Sequence, residues 1–345
     1  MTSMISTNST NSTTNTPPTT RHARRSRKPL AIACAVTAGA ALAALGTAYA
    51  TSDPAPGDAD AAPRAAAGPV GFGAGTTGGE GGESVTVSDA AAFTEAVQSD
   101  GPRVVKVDGT IELSEMTKVA GDKTVVGVGT AGKITGSGLN VSGVQNVIIQ
   151  NLTFSGSDDD GINVQESSKV WLDHNDISGA KDGGLDIKRG STDITVSWNR
   201  AHDQDKNMLL GHSDDNGGED AGKLKVTYDH NWFDGTNQRN PRVRFGNPVH
   251  VLNNYFSDIG SYGVASTQDA GVLVEGNYFE NTEDPFHLGE GDSGPGALAA
   301  RDNHFENSGE GQTGGDVAAI PYDYTAESAA TVKDSVTKGA GVGKL

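Results

Sequence analysis

A single cysteine, Cys34, occurs in 345 residues, and it lies inside an apolar stretch near the N-terminus. No disulfide can therefore staple the rest of the chain, and stability has to come from packing and from any metal ion the chain binds. Basic residues are scarce as well: 26 Lys and Arg stand against 44 Asp and Glu, a formal charge of −18. Such a surface repels nucleic acid and anionic membranes, so neither is expected as a partner. Strong helical periodicity is nearly absent, and leucines do not recur in a fixed motif. Helical and leucine-rich repeats are thereby excluded.

The first fifty residues read as an export signal. A basic segment, "RHARRSRK", precedes the apolar stretch from Leu30 to Leu45 and the small-residue sequence "AYA" at 48–50. That order predicts a secretory signal over 1–50 rather than a membrane span, and hence a secreted, extracellular protein. Its removal takes away five basic and no acidic residues, leaving a charge of about −23. Residues 51–80, rich in Ala, Gly, Pro and Asp, read as a flexible linker. Residues 81–345 are enough for one large domain, expected to act as a monomer.

Short β-patterned runs fill that domain: "NVIIQNLTF", "KVWLDHNDI", "DITVSWNRA", "KVTYDHNWF", "VHVLNNYF", "VLVEGNYF" and "ALAARDNHF". In six of them an asparagine holds the same place: Asn175, Asn199, Asn231, Asn254, Asn277 and Asn303. In the first run Asn151 arrives one position early. The period is too short for a propeller blade and fits three short strands per coil. Stacked asparagines at one corner can satisfy turn backbone that is otherwise buried. The expected fold is all-β: a right-handed parallel β-helix with an asparagine ladder. Helical caps are expected at both ends, from "SDAAAFTEAVQS" with its Ser88 or Asp89 cap and from "DYTAESAATVKDSV".

Two charge clusters fall in neighbouring coils. Asp158 and Asp160 come from "GSDDDGINV", and Asp182 and Asp186 from "DGGLDIKRG". With Leu185 and Ile187 facing the core, Asp186 and Lys188 face outward. Carboxylates that close call for a hard divalent cation with oxygen ligands, and calcium suits the set. Lys206 follows in "DQDKNMLLGHS", then Arg239, Arg242 and Arg244 in "QRNPRVRFGNP". With Val243 and Phe245 inward, Arg242 and Arg244 point outward. A cation site beside a basic strip suits a polyanion whose carboxylates are gripped by metal and by guanidinium forks. His174 and His230 sit beside ladder asparagines, and Trp171, Trp198 and Trp232 share the repeat frame. All five read as packing residues.

Together "KVWLDHN", "DGGLDIKRGSTDITVSWN", "DKNMLLGHSD" and "QRNPRVRFGNPVHVLNNYF" resemble the signature segments of secreted bacterial pectate lyases of polysaccharide lyase family 1. The resemblance runs from about Ser88 through the C-terminal helical segment. It implies calcium-dependent cleavage of polygalacturonate by β-elimination, giving 4,5-unsaturated products. It carries calcium binding to Asp158, Asp160, Asp182 and Asp186, with Asp159 able to serve in place of Asp158. It carries catalysis and substrate binding to Lys206, Arg239 and Arg244, and a substrate contact to Lys188. Arg239 becomes the base and Lys206 the alternative. A free guanidinium keeps its proton to about pH 12 or above, so like charges from Arg244, Lys206 and bound calcium are expected to acidify it and favour an alkaline optimum. Two enzymes of similar fold remain as rivals. A pectin lyase would have a broken aspartate cluster and an aromatic cleft, and a polygalacturonase would not need Arg239.

Overall fold

The computed structural model describes residues 68–345. The expected signal over 1–50 and the linker residues before 68 lie outside the described residues. The chain winds into three sheets of ten, eight and nine strands, in each of which neighbours are three strands apart along most of the stack. One coil supplies Ser168–Asp173, Asp176–Ser178 and Leu185–Lys188, one strand to each sheet. The next coil repeats the pattern with Thr192–Ser197, Arg200–His202 and Leu209–Leu210, each paired in parallel with its counterpart. The expected parallel β-helix is present.

Alternation decides which side chains enter. Ile149, Leu172, Val196, Tyr228, Val251 and Val274 occupy one register column and are all fully buried. A second column stacks Phe233, Phe256, Phe279 and Phe305, with centroids 4.7, 4.4 and 5.4 Å apart. Like side chains in successive coils bury one another, so a coil packs only on its neighbours.

The six asparagines form one hydrogen-bonded ladder. Asn231 Nδ2 donates to Asn254 Oδ1 at 2.9 Å and to the Val196 carbonyl of the preceding coil at 2.9 Å. Its own Oδ1 accepts from Asn199 Nδ2 and from the Asn199 backbone N–H. Asn151 stands one position early because it occupies the left-handed corner (φ +56°) shared by His174, Trp198, His230, Asn253 and Asp302. Leu152 takes the ladder place and donates its N–H to Asn175 Oδ1.

Two expectations are corrected. Residues 68–80, placed in the flexible linker, lie across the outer face of the ten-stranded sheet. Gly73 and Gly79 donate their N–H groups to Thr195 and Thr124 hydroxyls, and Thr77 N–H bonds Asn146 Oδ1 at 2.8 Å. The glycines here serve close approach: a Cβ on Gly79 would meet Arg103 O at 2.0 Å. The second correction concerns the caps. Ala90–Gln98 packs against the first strands, with Asp89 as its N-cap. The C-terminal helix Ala329–Gly339 instead lies along the flank, its Val332 and Val336 against Tyr255 and Tyr278. Those outward-facing tyrosines form a small apolar cluster with the helix, separate from the core of the coils. At the end of the stack, Gly314 pairs with Leu298 and Gly311 packs on Phe286. No helix among the described residues is long and apolar enough to cross a membrane.

Candidate active site

The site lies on the turns leading into the eight-stranded sheet and on that sheet's outer face. Ile162 pairs with Leu185 and Val164 with Ile187, all four fully buried, so the residues between and before them face outward. Carboxylate oxygens of Asp159, Asp160 and Asp182 come within 4.8 Å of one another. Of the alternatives in "SDDDG", the structure brings Asp159, not Asp158, into this group. Asp158 is exposed, and its N–H is tied to the Gly136 carbonyl.

Asp186 stands behind this cluster, only 2% exposed. Its Oδ1 accepts from the Leu209 N–H at 3.1 Å, and its Oδ2 lies 3.1 Å from Lys188 Nζ. The same ammonium lies 2.7 Å from Asp160 Oδ2, while Asp160 Oδ1 accepts from the Gly183 N–H at 2.9 Å. Burial pushes the Asp186 carboxyl up to about 7, and the Asp160 charge adds to the rise. Burial also raises Asp160, against the pull of Lys188. Burial works against the Lys188 ammonium, but Asp186 and Asp160 together outweigh it and hold its pKa above the usual value. Asp182 is lowered, chiefly by the hydrogen bond from Lys206 Nζ at 2.8 Å.

These residues fit a hard divalent cation. Every side-chain donor is a carboxylate oxygen. Gly183 also leaves the space open, because a Cβ there would lie 2.3 Å from Asp186 Oδ1 and 2.8 Å from Asp160 Oδ1.

Lys206 bridges in parallel to Gly183 on one side and Gln238 on the other. Three positions on, Leu209 pairs with Arg242, four positions after Gln238. The coil therefore carries one residue in excess. Asn207 donates to Asn240 Oδ1 at 3.0 Å, which leaves Arg239 as the extra residue. It adopts a left-handed φ of +62°, uncommon for a residue with a Cβ and costing on the order of 1–2 kcal/mol. Its Nε is buried without a hydrogen-bond partner. Asn240 in turn accepts from the Thr236 hydroxyl and donates to the Tyr262 carbonyl, fixing the turn from below.

The basic strip expected beyond Arg239 is arranged differently. Arg244 is only 9% exposed, and its Nε donates to Asp214 Oδ1 at 2.6 Å. Arg242 Nη2 donates to the Glu290 carbonyl and to Ser293 Oγ. Both point outward, but turns from other coils cover them, and Asp214 offsets part of their charge. Asp214, Ser293, Asn207, Asn240 and Tyr262 were not singled out by the sequence reading. The buried Asn207–Asn240 pair has a sequence signal, since each asparagine follows the basic residue that the coil presents. His174, Trp198 and His230 form a stack with centroids 5.9 and 4.3 Å apart, and Gly341 donates to the Trp198 carbonyl. The three rings pack on one another, and His230 also pairs with Asp229 and Glu327.

Comparisons with known proteins agree with this architecture. The family model described as pectate lyase matches residues 40–345. Probable pectate lyase A of Aspergillus flavus is 38% identical over 266 residues, covering 74% of this chain and 81% of that protein. The pectate trisaccharide-lyase of Bacillus licheniformis is 33% identical over 293 residues, covering 79% and 84%. Among solved structures, a pectate lyase from Bacillus sp. N165 in complex with trigalacturonate has a TM-score of 0.73 and 31% identity, covering 80% of this chain and 99% of that one. Pectate lyase II of Xanthomonas campestris has a TM-score of 0.68 and 28% identity, with the same coverage. The relatives are fungal as well as bacterial, so the resemblance is broader than the bacterial group first indicated. With the coils, the ladder and the acidic-basic site in one register, the chain belongs to the pectate lyase family.

Proposed function

We propose that the protein is an extracellular, calcium-dependent pectate lyase that cleaves polygalacturonate by β-elimination. The observation that carries this reading is the convergence of Asp159, Asp160 and Asp182 beside Lys206 and the extra residue Arg239. Asp160, Asp182 and Asp186 would hold the ion, with Asp159 the best-placed fourth carboxylate. Calcium, when bound, supplies positive charge to a uronate carboxylate and so acidifies the hydrogen at C5.

The chain's own groups do the rest. Lys188 pairs with Asp160 and Asp186 at the edge of the carboxylate group and would also contact substrate there. Arg239 takes the C5 proton at a guanidine nitrogen. The electron pair from C5–H forms the C4=C5 bond, the C4–O bond breaks, and the departing oxygen gains a proton from water. Arg239 is favoured over Lys206 as base because Lys206 Nζ is engaged by Asp182, whereas Arg239 forms no ion pair among the described residues. Arg244 grips a uronate carboxylate. The signal-like segment at 1–50 supports export, after which a monomeric catalytic domain would include residues 68–345.

Ultraviolet absorbance on polygalacturonate tests the reading. Unsaturated product should accumulate with calcium and stop with excess chelator. Chain cleavage without new absorbance would overturn it in favour of hydrolysis.

A further inference from the structure

Asp214 and Ser293 are 79 residues apart, yet their turns meet over Arg244. Asp214 follows the strand Leu209–Leu210, in the short helical turn Asp214–Asn216. Ser293 closes a tight turn in which it and Glu290 exchange backbone hydrogen bonds. Arg244 Nε donates to Asp214 Oδ1 at 2.6 Å, and Arg244 Nη1 donates to the Gly211 carbonyl at 3.2 Å. Ser293 Oγ lies 2.7 and 2.8 Å from the two Asp214 oxygens and can donate to either. Gln268 Nε2 donates to Asp214 Oδ2 at 3.0 Å. The same Ser293 oxygen accepts from Arg242 Nη2 at 2.7 Å.

Two features of this network point to a ligand. Arg244 is paired with Asp214, while Arg242 bonds only uncharged acceptors, the Glu290 carbonyl and Ser293 Oγ, and forms no ion pair among the described residues. Arg244 is held through Nε and Nη1, while Nη2 makes no hydrogen bond among the described residues. A guanidinium fixed along one edge presents its remaining N–H groups in a set direction, which is what planar recognition of a carboxylate requires. We propose that Asp214 and Ser293 form a clasp that positions Arg244 for a uronate carboxylate, and that these two turns set how tightly the polymer is gripped. The alternative is that Asp214 competes with substrate for Arg244. Three donors from separate coils hold Asp214, however, which suits a fixed support better than a group that must leave.

This inference rests on the assignment of Arg244 to substrate binding. Both are tested by kinetics on polygalacturonate with calcium, together with calorimetric titration of trigalacturonate. Asp214→Asn should raise KM about fivefold to fiftyfold and weaken trigalacturonate binding in parallel, with kcat within about twofold of wild type. Ser293→Ala should shift KM in the same direction by about twofold to fivefold. It is the variant to rely on if Asp214→Asn fails to fold. Unmoved KM in a folded Ser293→Ala and Asp214→Asn pair overturns the clasp, and a lowered KM overturns it in favour of competition. Wild-type protein that makes no unsaturated product would instead sink the lyase reading itself.

Discussion

Asp160 and Asp186, from adjacent coils, share one ammonium: Lys188 Nζ stands 2.7 Å from the first and 3.1 Å from the second. Burial, with the Asp160 charge adding to it, raises the Asp186 carboxyl to about 7 against the pull of that ammonium. Its folded pKa lies above its ordinary value of 3.8, so the folded state holds the extra proton between about pH 4 and 7. Without metal, stability should therefore fall as pH rises through that window. Calcium binds the ionised form, so the stabilisation it brings should grow as pH approaches and passes 7. Melting temperatures with calcium and with chelator, from acid to alkaline pH, check this. A calcium effect that is constant with pH would contradict it.

Asp186→Asn removes the charge with little change of shape. Calcium affinity and activity should both drop by about tenfold or more, because the donor set loses a carboxylate. The metal-free variant should melt no lower than wild type at pH 8, where the buried charge is costly. Calcium titration followed by melting separates the two effects. Full activity of the variant in excess chelator would rule out this metal site.

The ladder makes an independent prediction. Asn231 and Asn254 are fully buried, and each satisfies backbone carbonyls as well as its neighbour. Replacing either with Ala should cost about 1–3 kcal/mol, since partners are left unsatisfied in a dry interior. Chemical denaturation measures this, and unchanged midpoints for both variants would speak against the ladder as a source of stability.

How much of this was legible in the sequence depends on how local the signal was. The asparagine recurrence and the inward-outward alternation of "GLDIK" are written in neighbouring residues, so the fold and the Asp160, Asp182 and Asp186 trio could be read directly. The extra residue at Arg239 could not, because it is defined only by the register of Leu209 with Arg242. Nor could the partners of Arg244, since Asp214 and Ser293 reach it from other coils. The same limit explains the linker. A Gly-rich stretch reads as flexible until threonine and asparagine side chains on a distant sheet accept its N–H groups.

The C-terminal segment is fastened by an ion pair with its own pH window. His230 Nε2 lies 3.1 Å from Glu327 Oε2, and His230 Nδ1 lies 2.6 Å from Asp229 Oδ1. Burial works against the imidazolium, but Asp229 and Glu327 outweigh it and raise His230 to about 9. The hydrogen bond from His230 leads in lowering Glu327 to about 2. The histidine's contribution is full below its ordinary 6.5 and lost as pH rises through about 9. That of Glu327 is present above 4.5 and lost as pH falls toward 2. Glu327→Gln should therefore destabilise the protein by about 1–3 kcal/mol near pH 5–6, with the difference shrinking at pH 10. A difference that does not change with pH would show that the pair is not what fastens the segment.

The choice of base turns on Arg239 and Lys206, which stand in successive coils of the same row. Lys206 Nζ is tied to Asp182 Oδ1 at 2.8 Å, whereas Arg239 forms no ion pair among the described residues. With no carboxylate holding it, the Arg239 guanidinium is the cation of this pair left available to substrate beside the acidic cluster. Arg239→Lys keeps the charge but loses reach and planarity, so kcat should fall about hundredfold or more with KM little changed. Lys206→Ala should act mainly through KM, and it should also release Asp182 toward its ordinary pKa, because the hydrogen bond that lowers it is gone. Initial rates on polygalacturonate, read as ultraviolet absorbance, give both constants for each variant. If Arg239→Lys stays near wild type while Lys206→Ala is inactive, the proton goes to Lys206 instead, and the extra residue in the coil serves only to shape the groove.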